Sequence, residues 1–253
     1  MFGFANPERF WRLSAILLPW AWAAAGIALA VGLYLGLLSS PDDYQQGATV
    51  RIMYVHVPAM WMAMACYAFI AAASLVSLIW RHALADVAAR CAAPIGAVFT
   101  ALGLATGSIW GKPMWGTWWA WDARLTSVLV LLFLYLGYMG IWAAIEDRTK
   151  AARAATILAL LGAVNLPIIK FSVDWWNTLH QGSSVIRLDG PALHASFLYP
   201  LLTMGGAYGL LFLALLLTRM RTEILNQRIW ADQRRRAANE ELRAQPEGGL
   251  TNG

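Results

Sequence analysis

The chain has 253 residues, 59% hydrophobic and 13% charged, with a mean hydropathy of +0.53. Soluble globular chains carry about 25% charged residues; this composition could not clothe its own core in a water-facing surface, which excludes a soluble enzyme, a nucleic-acid-binding protein and a disordered chain. The net charge of +5 takes its meaning from where the basic residues fall.

In chain order, six apolar runs are candidates to cross a hydrocarbon core about 30 Å thick, which takes about 20 residues of helix. They cover 16–38, 57–80, 91–111, 125–145, 154–169 and 195–218. Helices are expected throughout, since lipid offers no partner to an open backbone amide. The first run exceeds the roughly 7–15 apolar residues of a signal peptide and is expected to be retained. The fifth is short and spans only if Lys170 snorkels and residues 171–173 join it. Within it, Asn165 is expected to bond a neighbouring helix and Pro167 to allow a kink. Cys66 and Cys91 lie in or beside apolar runs, form no CxxC pair, and read as small hydrophobes.

Fourteen Lys and Arg residues fall on the side of the two termini and five on the other: Arg51, Lys112, Arg124, Lys170 and Arg187. This asymmetry predicts cytoplasmic termini. The organisation expected is a six-helix transmembrane domain over 1–218 and a cytoplasmic basic tail over 219–253, the tail continuing the last helix and fraying by Pro246. The fold class is all-α, a polytopic membrane protein. The cytoplasmic turns look like plain connectors, with His82 solvated in one of them. The outer segments 39–55, 112–124 and 170–189 gather His, Trp, Asp and Arg, so any chemistry faces outward.

The outer segment over 110–127 reads WGKPMWGTWWAWDARLTS, with five tryptophans in twelve residues. Pro113 suits the first turn of a short helix, which would set Trp115, Trp118, Trp119 and Asp122 on one face at i, i+3, i+4 and i+7. Interfacial belts use Trp as well, but usually one or two per helix end. Together with Trp110 and Trp121, and with Gly111 and Gly116 allowing close approach, these rings suggest a platform for a large planar ligand. Two histidines fall on the same side: His56 in MYVHVPAMW and His180 in DWWNTLHQGSS. Imidazole suits iron, copper and zinc; the lack of a nearby Cys or third His argues against structural zinc. Two imidazoles beside a planar platform point to haem with bis-histidine ligation. Arg51, Lys112, Arg124 and Arg187 could pair with the haem propionates, although Asp122 is two residues from Arg124 and either could instead cap or orient the loop. His194 reads as an interfacial polar residue, and Tyr44, Gln45 and Gln46 as loop polarity. Two other classes stay open on the residues alone: a membrane cytochrome b transferring electrons to or from quinone, and a transporter moving a substrate through its own bundle. No GxxxxGK[ST] loop is present, so nucleotide hydrolysis would belong to a partner.

The tryptophan segment resembles the WWD signature of haem-handling membrane proteins. The stretches PDDYQQG at 41–47, HVPA at 56–59, APIGAVFT at 93–100, VNLPIIK at 164–170 and WWNTLHQGS at 175–183 narrow the likeness to the heme exporter protein C (CcmC) family of system I cytochrome c maturation. The resemblance implies a protein, not an enzyme, that holds haem b at the periplasmic face of the bacterial inner membrane. It implies delivery of that haem to the periplasmic chaperone CcmE, in a complex with the transporter subunits CcmA and CcmB and the small subunit CcmD. It places His56 and His180 on the axial-ligand positions and the tryptophan segment on the haem-binding region. It gives no role to His194 or to the Arg-rich tail.

Overall fold

The structure, a computed structural model, describes residues 7–182, 184, 185, 187 and 189–244. Its helices are α1 (Pro7–Leu33), α2 (Met53–Trp80), α3 (Ala83–Trp115), α4 (Ala123–Ala144), α5 (Arg148–Gly162), α6 (Asn165–Trp175) and α7 (Ala195–Ala244). Among the described residues six helical stretches are long and apolar enough to cross a membrane, with α5 and α6 together forming the fifth. The chain is therefore an all-α, multi-pass membrane protein, as its apolar runs predict.

Each helix end follows from local chemistry. α1 widens into a π-helical turn over Tyr34–Ser39, and Asp43 then folds the loop by accepting the Gln45 and Gln46 amides on Oδ1, both at 2.9 Å. α2 stops at Arg81, which takes a left-handed conformation, and α3 begins at Ala83, so the connection between them is only two residues long. The fifth span breaks because Pro167 has no N–H to return to Ala163; the Leu166 amide bonds that carbonyl instead, at 3.1 Å. Asn165 meets the expectation for it, donating through Nδ2 to the Ser127 carbonyl of α4 at 2.8 Å.

The short helix expected to open at Pro113 is absent. α3 runs through Pro113 to Trp115 and ends at Gly116, whose φ of 76° and N–H bond to the Lys112 carbonyl (3.0 Å) make a glycine C-cap. The left-handed glycine is a stop signal for the preceding helix, and it outweighs the start signal of the proline three residues earlier. Residues 116–122 then run as irregular chain until Asp122 caps α4, accepting the Leu125 amide at 2.7 Å. Trp115, Trp118, Trp119 and Asp122 consequently do not share a helix face.

α2 and α3 form the centre of the bundle. Buried phenols tie it together: Tyr135 of α4 donates to the Ala63 carbonyl (2.7 Å) and Tyr67 of α2 to the Leu158 carbonyl (3.3 Å), each ring lying where a side chain at Gly96 or Gly162 would otherwise sit. A polar group at this depth has no water to turn to, so such pairing is required. The starts of α2, α4 and α7 and the ends of α3 and α6 meet at one end of the bundle. At the other end Glu223 of α7 accepts from Arg90 of α3 (3.0 Å) and Gln227 (2.9 Å), with Arg148 of α5 at 3.7 Å. α7 has 50 residues, about 75 Å at 1.5 Å per residue, so it continues as helix well past the membrane; Pro246 lies outside the described residues.

Candidate functional site

Where those helix ends converge, a cavity of about 400 Å³ is lined by α2, α3, α4, α6, the first turns of α7 and the loop after α6. His56, Trp110, Trp115, Trp119, Arg124 and His180 all line it. Its deeper wall is apolar, built from Val57, Met60, Trp61, Met64, Leu104, Val128 and Leu201.

His56 sits in the first turns of α2. Its Nδ1 lies 3.0 Å from the Gly103 carbonyl and 3.2 Å from Thr106 Oγ1. A carbonyl only accepts, so Nδ1 carries the proton and Nε2 keeps the lone pair a metal needs. The ring fits because of glycine: a Cβ at Gly107 would come 2.9 Å from His56 Cε1, one at Gly103 would collide with the Met60 sulfur, and one at Gly111 would come 2.9 Å from the Trp115 ring. Gly103, Gly107 and Gly111 recur every fourth residue, one stripe along α3. Trp110 closes the other side of the imidazole edge-on, with ring centroids 5.7 Å apart.

His180 is on the loop between α6 and α7, its backbone clamped by the Thr178 hydroxyl at 3.2 Å. Its Nδ1 meets Asp122 Oδ2 at 3.3 Å, and Asp122 is nearly enclosed, its side chain only 8% exposed. Asp122 thus does three things: Oδ1 caps α4, Oδ2 accepts the Leu179 amide at 3.2 Å, and the same oxygen fixes the His180 tautomer with Nε2 again left open. Burial holds the His180 pKa below its ordinary value, against the opposing pull of the Asp122 charge. The neutral imidazole, the ligating form, is therefore the resting one. Trp115 packs edge-on against this ring, centroids 4.9 Å apart, and a charge on one histidine would be felt by the other.

The expected platform is divided. Trp110, Trp115 and Trp119 line the cavity, whereas Trp118 and Trp121 are 57% and 78% exposed and lie outside its wall. Trp110 Nε1 donates to Gln46 Oε1 at 2.9 Å, which gives that loop residue a definite place in the wall. The Trp119 indole N–H is buried with no partner among the described residues. The part of the Trp119 ring that lines the cavity is therefore its apolar face or edge, not this N–H.

Of the four cations considered for propionates, only Arg124 reaches the cavity. Its Nε donates to Ser172 Oγ at 3.2 Å, which orients the fork; Lys170 lines the same wall. Arg51 instead pairs with Asp42 at 3.0 Å, Lys112 donates to the Gly116 carbonyl at 3.0 Å, and Arg187 pairs with Asp189. His194 stands before α7 and its Nδ1 accepts from Ser196, so it caps the helix. His82 is half-buried, with Nδ1 enclosed and unpartnered among the described residues, not solvated as expected.

The wall thus brings two imidazoles, several indoles and a guanidinium to one cavity. Drug-sized to cofactor-sized cavities run from about 300 to 1,000 Å³. Among the described residues no cluster of three His, Cys, Asp or Glu is present; His56 and His180 put two imidazoles on the cavity wall, which also carries the thioethers of Met53, Met60, Met64 and Met114.

The family model for heme exporter protein C matches residues 1–235. Curated proteins of that name align over most of both chains. The Bradyrhizobium diazoefficiens protein is 61% identical over 225 residues, covering 89% of this chain and 85% of its own. The Escherichia coli K12 protein is 49% identical over 218 residues, covering 86% of each. The Rhodobacter capsulatus protein is 46% identical over 239 residues, covering 93% and 98%. With its six spans and these bacterial relatives, the protein is a multi-pass protein of the inner membrane. A family match that starts at residue 1, takes in both histidines and the tryptophan segment, and ends within α7 leaves one assignment: the chain belongs to the heme exporter protein C family.

Proposed function

We propose that this protein binds haem b in the cavity, with His56 and His180 as axial ligands, and passes it to the periplasmic haem chaperone CcmE during cytochrome c maturation. In this reading it works beside CcmA, CcmB and the small subunit CcmD, performs no catalysis itself, and opens its cavity to the periplasm. One observation carries the proposal: two histidines 124 residues apart line a single cavity, each with Nδ1 engaged by an acceptor and Nε2 left for a metal. Arg124, with Lys170 on the same wall, supplies positive charge for the propionates. Trp110, Trp115 and Trp119 pack against the macrocycle, and the apolar deep wall shelters the rest of it.

Haem is here a cargo, so it must also leave. One ligand comes from the body of the bundle and the other from a loop, and moving that loop would free one side of the iron without disturbing the spans. A cytochrome b that exchanges electrons with quinone holds its histidines on facing helices at membrane depth, which this arrangement does not match.

The test is the absorption spectrum of the purified protein, co-expressed with its partners. Wild type is expected to carry a low-spin bis-histidine haem, and His56→Ala and His180→Ala each to shift that spectrum and to lower delivery to CcmE. Haem-free wild type would end the proposal; spectra and delivery unchanged in both variants would remove the two histidines from it.

A further inference from the structure

At the end of the bundle away from the cavity, α1 and α7 enclose a groove of about 220 Å³ lined by Trp11, Leu18, Thr218, Arg221, Thr222 and Leu225. The α7 residues fall at i, i+3, i+4 and i+7, so the guanidinium and both hydroxyls lie on one face. Arg221 is held in place: Nη1 donates to the Trp11 carbonyl and to Ser14 Oγ, each at 2.8 Å, and the guanidinium carbon lies 4.0 Å from the Trp11 ring centroid. All three partners are neutral, so none cancels its charge. The carboxylates closest in sequence are engaged by other arginines, Glu8 by Arg228 at 2.6 Å and Glu223 by Arg90 at 3.0 Å. Arg228, its charge offset by Glu8, lies 5.2 Å from the same Trp11 ring, which leaves Arg221 as the cation of the groove.

The level of this groove matters. It lies where the charge-free run of α1 begins, just after Arg12, and where that of α7 ends, just before Arg219. That is the depth of the lipid phosphates, where a basic residue and a tryptophan both find their preferred surroundings. Within it Leu18 of α1 and the exposed Leu225 of α7 line the wall, an apolar track for an acyl chain.

We infer that this groove binds the phosphodiester headgroup of an anionic phospholipid, with Arg221 as the pre-positioned cation. A small hydrated anion would gain nothing from Leu18 and Leu225, which share the groove with the guanidinium; a lipid uses both. The acidic headgroup is selected because the positive charge of the groove is uncompensated within it.

Native mass spectrometry of the purified full-length protein tests this, with phosphatidylglycerol and phosphatidylcholine supplied at equal concentration. Wild type should retain one phosphatidylglycerol in preference to phosphatidylcholine. Arg221→Gln should weaken that retention about fivefold, the effect of one basic residue at a membrane surface. Leu225→Trp, which fills the groove and leaves Arg221 in place, should lower it too and decides the matter if Arg221→Gln fails to fold. Equal retention of the two lipids, or retention in Leu225→Trp equal to wild type, overturns the site. Displacement of the lipid by millimolar inorganic phosphate overturns its assignment to a lipid in favour of the free ion.

Discussion

At the scale of single residues, Asp122 would act on a haem iron bound by His180 without touching it. It orients His180 and caps α4 with its two oxygens, so replacing it by Ala mixes two effects. Asn is as good an N-cap as Asp, and Asp122→Asn therefore keeps α4 while removing the charge behind the imidazole. Loss of such a partner typically weakens metal affinity about 10- to 100-fold; haem titration of the variant should show a drop of that order with unchanged helical content by circular dichroism. The depressed His180 pKa has its own consequence. The folded protein resists protonating this ring while the unfolded chain accepts the proton near the ordinary value of 6.5, so the unfolded state gains protons first and stability falls as pH drops below that point. Thermal melts of the haem-free protein between pH 7.5 and 5.5 should show a decline that is shallower in His180→Ala; equal slopes would remove His180 from the effect. That His56 and His180 come together at one end of the bundle was legible in the sequence, because the charge count set both on the same side and the chain has only four histidines. The linking role of Asp122 was not, since it depends on a loop 57 residues away folding back onto α4.

At the scale of elements, spans were easier to read than the chain between them. A bilayer imposes a length and forbids open backbone, so apolar runs become helices almost regardless of detail. The tryptophan segment has no such constraint. Once Gly116 ends α3, the rings that follow obey no period, and no pattern in the sequence tells that Trp119 turns inward while Trp118 and Trp121 turn out. The glycines at 103, 107 and 111 were visible as a four-residue repeat, but they merge into an apolar run unless the partner helix is known. Their role can be tested directly. Gly107→Ala would push a methyl group against an imidazole whose Nδ1 is pinned to the Gly103 carbonyl, so the ring must tilt or α2 must shift. Overpacking of this kind costs about 1–3 kcal/mol, and here it falls on the ligand. The variant should lose most of its haem, or show an altered spectrum, while Gly140→Ala on α4, with open space around it, should match wild type in both.

At the scale of the whole molecule, the two ends of the bundle have opposite characters. One gathers the cavity and its exposed indoles; the other gathers the ion pairs around Glu223 and the long basic extension of α7. The charge distribution argues that the second end is cytoplasmic: arginine-rich segments next to a span resist translocation, and here they accumulate on the side of both termini. A haem site meant to serve a periplasmic acceptor requires the same orientation, so one measurement bears on both. Cys66 and Cys91 are buried, which lets single added cysteines report position in intact cells. A cysteine at Tyr44, 91% exposed beside the cavity, should react with a membrane-impermeant maleimide added from outside, and one at Trp230, 59% exposed on the α7 extension, only after the membrane is permeabilised. The reverse labelling would place the cavity in the cytoplasm. It would leave the geometry of the two histidines intact and withdraw the delivery of haem to a periplasmic partner.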